Sequence, residues 1–154
     1  MNLAPVQKLI LILFTALVLA PAAYASSDLN SIVASYLEIQ AQLASDRIDG
    51  IKAPAAAIAK DASAMGSAGK DIAAAAKSIG EAKDLQAARE AFAPLSDAVI
   101  AAVKANGWQG LEDVKLAYCP MVKSPWLQKE STVRNPFYGK QMLTCGQFKD
   151  KPGF

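Results

Sequence analysis

The stretch DLQAAREAFAPLSDAVIAAVKANG, residues 84–107, sets the architecture. Leu85, Ala88, Phe92, Leu95, Val99, Ala102 and Val103 recur at the spacing that lines one face of an α-helix. Asp84 stands where an N-cap carboxylate accepts one of the free N–H groups of the first turn, and Asn106 with Gly107 supplies a stop. Pro94 falls inside the pattern; an interior proline removes a donor and crowds the preceding turn, at about 3 kcal/mol, so a kink or a split into two helices is expected there.

Upstream lie three more stripes. Leu29, Ile32, Val33, Tyr36, Leu37 and Leu43 follow Asp28, which is placed as an N-cap. Ile48, Ile51, Ala55, Ile58, Ala62 and Met65 form an Ala-rich stripe that stops at Gly66 to Gly69, with Pro54 suited to the first position of a helix beginning near Ala53. A short stripe of Ile72, Ala75, Ala76 and Ile79 runs from Lys70 to about Ala82. Short connections containing Gly or Asp favour antiparallel neighbours, so residues 26–107 are expected to form an all-α, up-and-down four-helix bundle.

Downstream of Gly107 the composition changes. Residues 108–154 hold both tryptophans, both cysteines, Tyr118 and Tyr138, together with Pro120, Pro125, Pro136 and Pro152. Those prolines exclude a long helix. The expectation is an irregular, Cys/Met-containing C-terminal strap, in places extended, packed on the bundle and forming one domain with it. Trp108 and Trp126 should cover the bundle end; Asn135 with Pro136 reads as a turn and Gly139 as a position of positive φ or close backbone approach. Arg134 is a candidate to pair with a carboxylate beneath the strap.

The N-terminus reads as an export signal over residues 1–25. Lys8 precedes the 12-residue apolar run Leu9 to Ala20, and Ala23, Tyr24 and Ala25 complete an A-x-A cleavage site. The run is shorter than the roughly 20 residues a membrane-spanning helix needs. Cutting after Ala25 removes 25 of 154 residues and leaves 129, with 15 basic and 14 acidic side chains. The expected location is the periplasm, with no stable membrane insertion after cleavage. A near-neutral chain without a basic block is not built for nucleic acid.

The chain has no histidine, which removes the commonest general base, the commonest metal ligand and every Ser-His or Cys-His triad. No catalytic residue is expected, and the chain is read as not an enzyme. The absence of a C-x-x-C pair also argues against a thiol–disulfide enzyme. What remains is sulfur. Cys119 and Met121 flank Pro120, whose extended or turn geometry can send both side chains to one side. Met142 and Cys145 are three apart, as one helical turn or tight loop would need to bring them to a common face.

Two thiols and two thioethers without imidazole select Cu(I), with Ag(I) as its analogue, over hard or borderline ions, and suit zinc poorly. The same two cysteines in an oxidising compartment could instead form a disulfide that closes the strap into a loop, worth roughly 3 kcal/mol in the chain-entropy model. Met121 and Met142 would then be ordinary packing. Spacing alone leaves both readings open: a soft-metal binding protein, or a disulfide-braced helical domain that docks on an envelope protein without metal.

The segments YCPM (118–121), WLQ (126–128), VRNPFYGKQMLTCG (133–146) and AREAFAPLSDAVI (88–100) resemble a periplasmic family of unknown function, domain of unknown function 3347. That family is found in small exported proteins and at the C-terminal end of heavy-metal efflux adaptor subunits. The resemblance extends from Leu29 to Cys145. It implies a helical periplasmic domain that handles copper or silver, with Cys119, Met121, Met142 and Cys145 as ligands and the adaptor of a heavy-metal efflux pump as partner. Only Val122 to Pro125 separate Met121 from Trp126, a shorter loop than the family's Gly-containing one.

Overall fold

A computed structural model describes residues 26–151, so the export signal expected over residues 1–25 and Pro152 lie outside the described residues. Four helices form: α1 (Ser26–Ala44), α2 (Lys52–Ala64), α3 (Lys70–Gly80) and α4 (Leu85–Ala105). Consecutive helices pack together and α1 also meets α4, closing the group. Among the described residues, no helix is long and apolar enough to cross a membrane.

The helix boundaries follow local chemistry. Asp84 caps α4 as expected, its Oδ1 accepting from Ala87 N at 2.8 Å, and Asn106 is the C-cap before Gly107 at φ +68°. Pro54 sits third in α2 rather than first, still within the turn whose N–H groups have no intrahelical partner. Asp28 is not a cap: Ser26 and Ser27 already belong to α1. Pro94 does not split α4, which continues for 21 residues. The proline lies on the exposed side, where water can take the carbonyl that loses its donor.

The chain is not all-α, and the segment after Gly107 is not an irregular strap. It builds a three-stranded antiparallel sheet of β1 (Lys115–Cys119), β2 (Ser124–Gln128) and β3 (Gln147–Lys149), in the order β2-β1-β3. The β1–β2 register runs from Lys115 opposite Gln128 to Cys119 opposite Ser124, and β1 pairs β3 from Leu116–Lys149 to Tyr118–Gln147. Pro125 is tolerated because β2 is an edge strand on which residues 125 and 127 turn their backbone groups away from β1. Ser96 Oγ donates to Pro125 O at 2.8 Å, and Leu127 N donates to Tyr36 Oη at 3.2 Å. A proline whose missing N–H would face outward costs no ladder bond.

Those side chains anchor the sheet. The Tyr36 hydroxyl bonds Ser96 Oγ, so one buried relay joins α1, α4 and two groups on the free edge of β2, Pro125 O and Leu127 N. Edge strands left bare invite pairing with other chains, and this one is covered. Tyr36 stacks on Phe92 with ring centroids 5.0 Å apart, Phe92 meets Phe137 at 5.6 Å, and Trp126 meets Phe137 edge-on at 6.0 Å. One core therefore runs from the helices into the sheet, and both tryptophans are buried in it.

Candidate functional site

β1 delivers Cys119 as its last residue, fully buried, and the chain then turns through 120–123 into β2. Lys123, at φ +56°, completes the turn. Met121 and Val122 at its tip are among the few large apolar side chains in solvent, Met121 at 61% exposure. Cys119 and Met121, two apart in sequence, therefore occupy opposite environments.

The second sulfur pair hangs on Asn135. This buried side chain forms the expected turn, its Oδ1 accepting from Phe137 N at 2.8 Å and Tyr138 N at 3.3 Å. Its backbone N donates to Leu143 O at 2.7 Å, and its carbonyl accepts from Gly139 N at 3.0 Å. Its Nδ2 donates to Cys119 Sγ at 3.3 Å and to Cys145 O at 2.6 Å. The loop 135–145 is thus wound onto one amide that also grips the end of β1. Cys145 N donates to Met142 O at 3.0 Å, so these two residues share a turn, both half-buried. Cys119 and Cys145 are free thiols.

Of the four predicted ligands, the fold gathers Cys119 and Cys145 around Asn135, keeps Met142 in the turn that carries Cys145, and leaves Met121 on the exposed hairpin tip. Among the described residues, no group of three or more His, Cys, Asp or Glu is arranged to hold a metal ion.

A polar knot fixes the far side of the loop. Arg89 of α4 donates through Nε to Pro136 O and through Nη2 to Leu43 O, each at 3.0 Å, and Nη2 also pairs with Asp46 Oδ1. Lys140 N reaches the same oxygen at 3.3 Å. Desolvation would raise the Asp46 pKa, but the hydrogen bonds from Arg89 and Lys140 N and the charges of both residues hold it below the ordinary carboxylate value. Gly139, at φ +55°, has no room for a Cβ, which would strike the Asp46 carboxylate and the Arg89 guanidinium. Arg134, expected to make the pairing beneath this segment, only approaches Glu130 at 3.7 Å and bonds Ser45 Oγ at 3.3 Å. Arg89 takes that role instead.

Gln128 is a second organiser that the sequence did not reveal. Its Oε1 accepts from Trp126 Nε1 at 2.9 Å and Arg134 N at 3.0 Å, and its Nε2 donates to Glu130 O and Thr132 O. Beside the loop lies an open cleft of about 770 Å³ between α4 and the hairpin, lined by Leu85, Arg89, Ala93, Val122, Phe137 and Tyr138 among others. None of the four sulfur residues lines it.

No curated protein and no solved structure matches the chain. The model of a family described as protein of unknown function (DUF3347) matches residues 32–109, just over half of the sequence. The match covers α2 to α4 and α1 from residue 32 on, and stops before the sulfur-bearing sheet and loop. On that match the chain belongs to the DUF3347 family.

Proposed function

We propose that this protein is a periplasmic soft-metal binding protein that takes Cu(I), or Ag(I) as its analogue, as cargo on Cys119 and Cys145, as an accessory to heavy-metal efflux or copper homeostasis. The observation that carries the reading is the shared amide: Asn135 Nδ2 bonds Cys119 Sγ and the backbone carbonyl of Cys145. One side chain that binds the Cys119 thiol and the backbone of Cys145, in a chain without histidine, supports a two-thiol donor set for a soft monovalent ion. An N–H aimed at the sulfur is the outer partner that such ligands use to fix orientation. Met142, in the turn of Cys145, is the thioether candidate for the ligand set, and exposed Met121 is suited to first capture or release of the ion.

The test is an anaerobic Cu(I) titration of the reduced protein against a competing chelator, repeated on the Cys119→Ser/Cys145→Ser double variant. The wild type should withdraw one Cu(I) per chain and the double variant none, with helical circular dichroism unchanged. Equal affinity in the two proteins contradicts the proposal. The rival reading, a disulfide-braced docking domain, predicts no free thiols in protein taken from the periplasm and no Cu(I) binding even after reduction.

A further inference from the structure

We infer that Asn135 is a positioning residue, a latch that controls access to Cys119 and sets Cys145 beside it; as a feature of metal binding this rests on the Cu(I) reading above. The side chain divides its work between two ends. Oδ1 holds the turn through Phe137 N and Tyr138 N, while the two Nδ2 hydrogens go to Cys119 Sγ and Cys145 O. One donor goes to the Cys119 sulfur and the other to the backbone of Cys145, and neither to Phe137 or Tyr138.

Cys119 has no exposed surface, and Asn135 has none either. An ion or reagent therefore reaches the Cys119 sulfur only when the structure around it opens. The Asn135 amide lies against that sulfur, and the segment 136–146 is tied to Asn135 by the Nδ2–Cys145 carbonyl bond and the Leu143 carbonyl bond to Asn135 N. Gly146, at φ +145°, lets the chain pass Trp126 closely, since a Cβ there would lie 2.6 Å from its ring. Opening the latch uncovers Cys119, and closing it returns Cys145 to the same amide.

Asn135→Asp separates the two ends, because a carboxylate still accepts from Phe137 N and Tyr138 N but has no hydrogen for Cys119 Sγ or Cys145 O. In metal-free, reduced protein, alkylation of Cys119 should quicken at least tenfold in this variant, read by mass spectrometry on the separate peptides bearing Cys119 and Cys145. Its Cu(I) affinity should fall about 10- to 100-fold, the usual loss when an outer-shell partner of a ligand is removed. An unchanged alkylation rate overturns the latch whatever the metal does. Failure of the wild type to bind Cu(I), with the alkylation difference intact, overturns the metal reading and leaves the latch standing.

Should the carboxylate unfold the chain, the unaltered protein supplies the answer. Alkylation of its Cys119 in low urea should vary little with denaturant, since a local opening exposes little surface. A rate that climbs with the full slope of global unfolding overturns the latch, because Cys119 would then appear only when the whole fold is lost.

Discussion

Replacing Tyr36 by Phe removes one oxygen and should reveal how the sheet is held to the helices. The hydroxyl accepts from Leu127 N at 3.2 Å and bonds Ser96 Oγ, which itself donates to Pro125 O at 2.8 Å; Tyr36, Ser96 and Leu127 are fully buried. Burial pushes the Tyr36 pKa well above its ordinary value, partly offset by those two hydrogen bonds, so the hydroxyl stays a neutral donor. Without it, Leu127 N–H faces a dry interior with no acceptor, which costs about 1–3 kcal/mol. At roughly 4 °C per kcal/mol for a chain of this length, the melting temperature should fall on the order of 4–12 °C. Ser96→Ala strands the Pro125 carbonyl and should cost a similar amount, about 1–3 kcal/mol.

The double variant is the sharper assay, because both single changes break the same Tyr36–Ser96 bond. Its loss should be smaller than the sum of the two by roughly 0.5–1.5 kcal/mol, measured by urea unfolding at matched slopes. Losses that add within about 0.3 kcal/mol would refute the relay.

Gly139→Ala should destabilise by about 1–2 kcal/mol from the left-handed backbone alone, and by more as the new Cβ displaces the Asp46 and Arg89 groups. A variant that melts with the wild type would contradict the crowding described here. Asp46 gives a pH dependence whose sign is fixed: its pKa is lower folded than the roughly 3.9 of an unfolded aspartate, so its contribution is full above that value and fades as pH falls through the folded pKa. Asp46→Asn should therefore lose part of the stability fall below about pH 4. Unfolding curves with the same acid limb in both proteins would count against the Arg89–Asp46 pairing.

The helices were legible because their information is local. Three- and four-residue spacing, the Asp84 cap and the Asn106–Gly107 stop each act within a turn or two, and the structure keeps them. Turn chemistry is local too, so Asn135 and Gly139 were readable as a turn and a positive-φ site. The sheet was not legible. β1 and β2 have five residues each, β3 has three exposed ones, and Pro125 argues against a strand until its neighbours are known. What makes the proline acceptable is Ser96, with Tyr36 beside it 91 positions before the Leu127 it binds, and no local pattern announces such a partnership. Arg89 and Asp46, 43 positions apart, were missed for the same reason. The cysteines stood out by chemistry, but only the fold shows that they share the Asn135 amide while Met121 stands in solvent.

Convergence of Cys119 and Cys145 on one soft ion is read by X-ray absorption at the copper edge of the one-to-one Cu(I) complex. The expected first shell is sulfur only, reduced by one sulfur in Cys145→Ser. Nitrogen or oxygen neighbours in the wild type, or a sulfur shell that Cys145→Ser leaves unchanged, would contradict it.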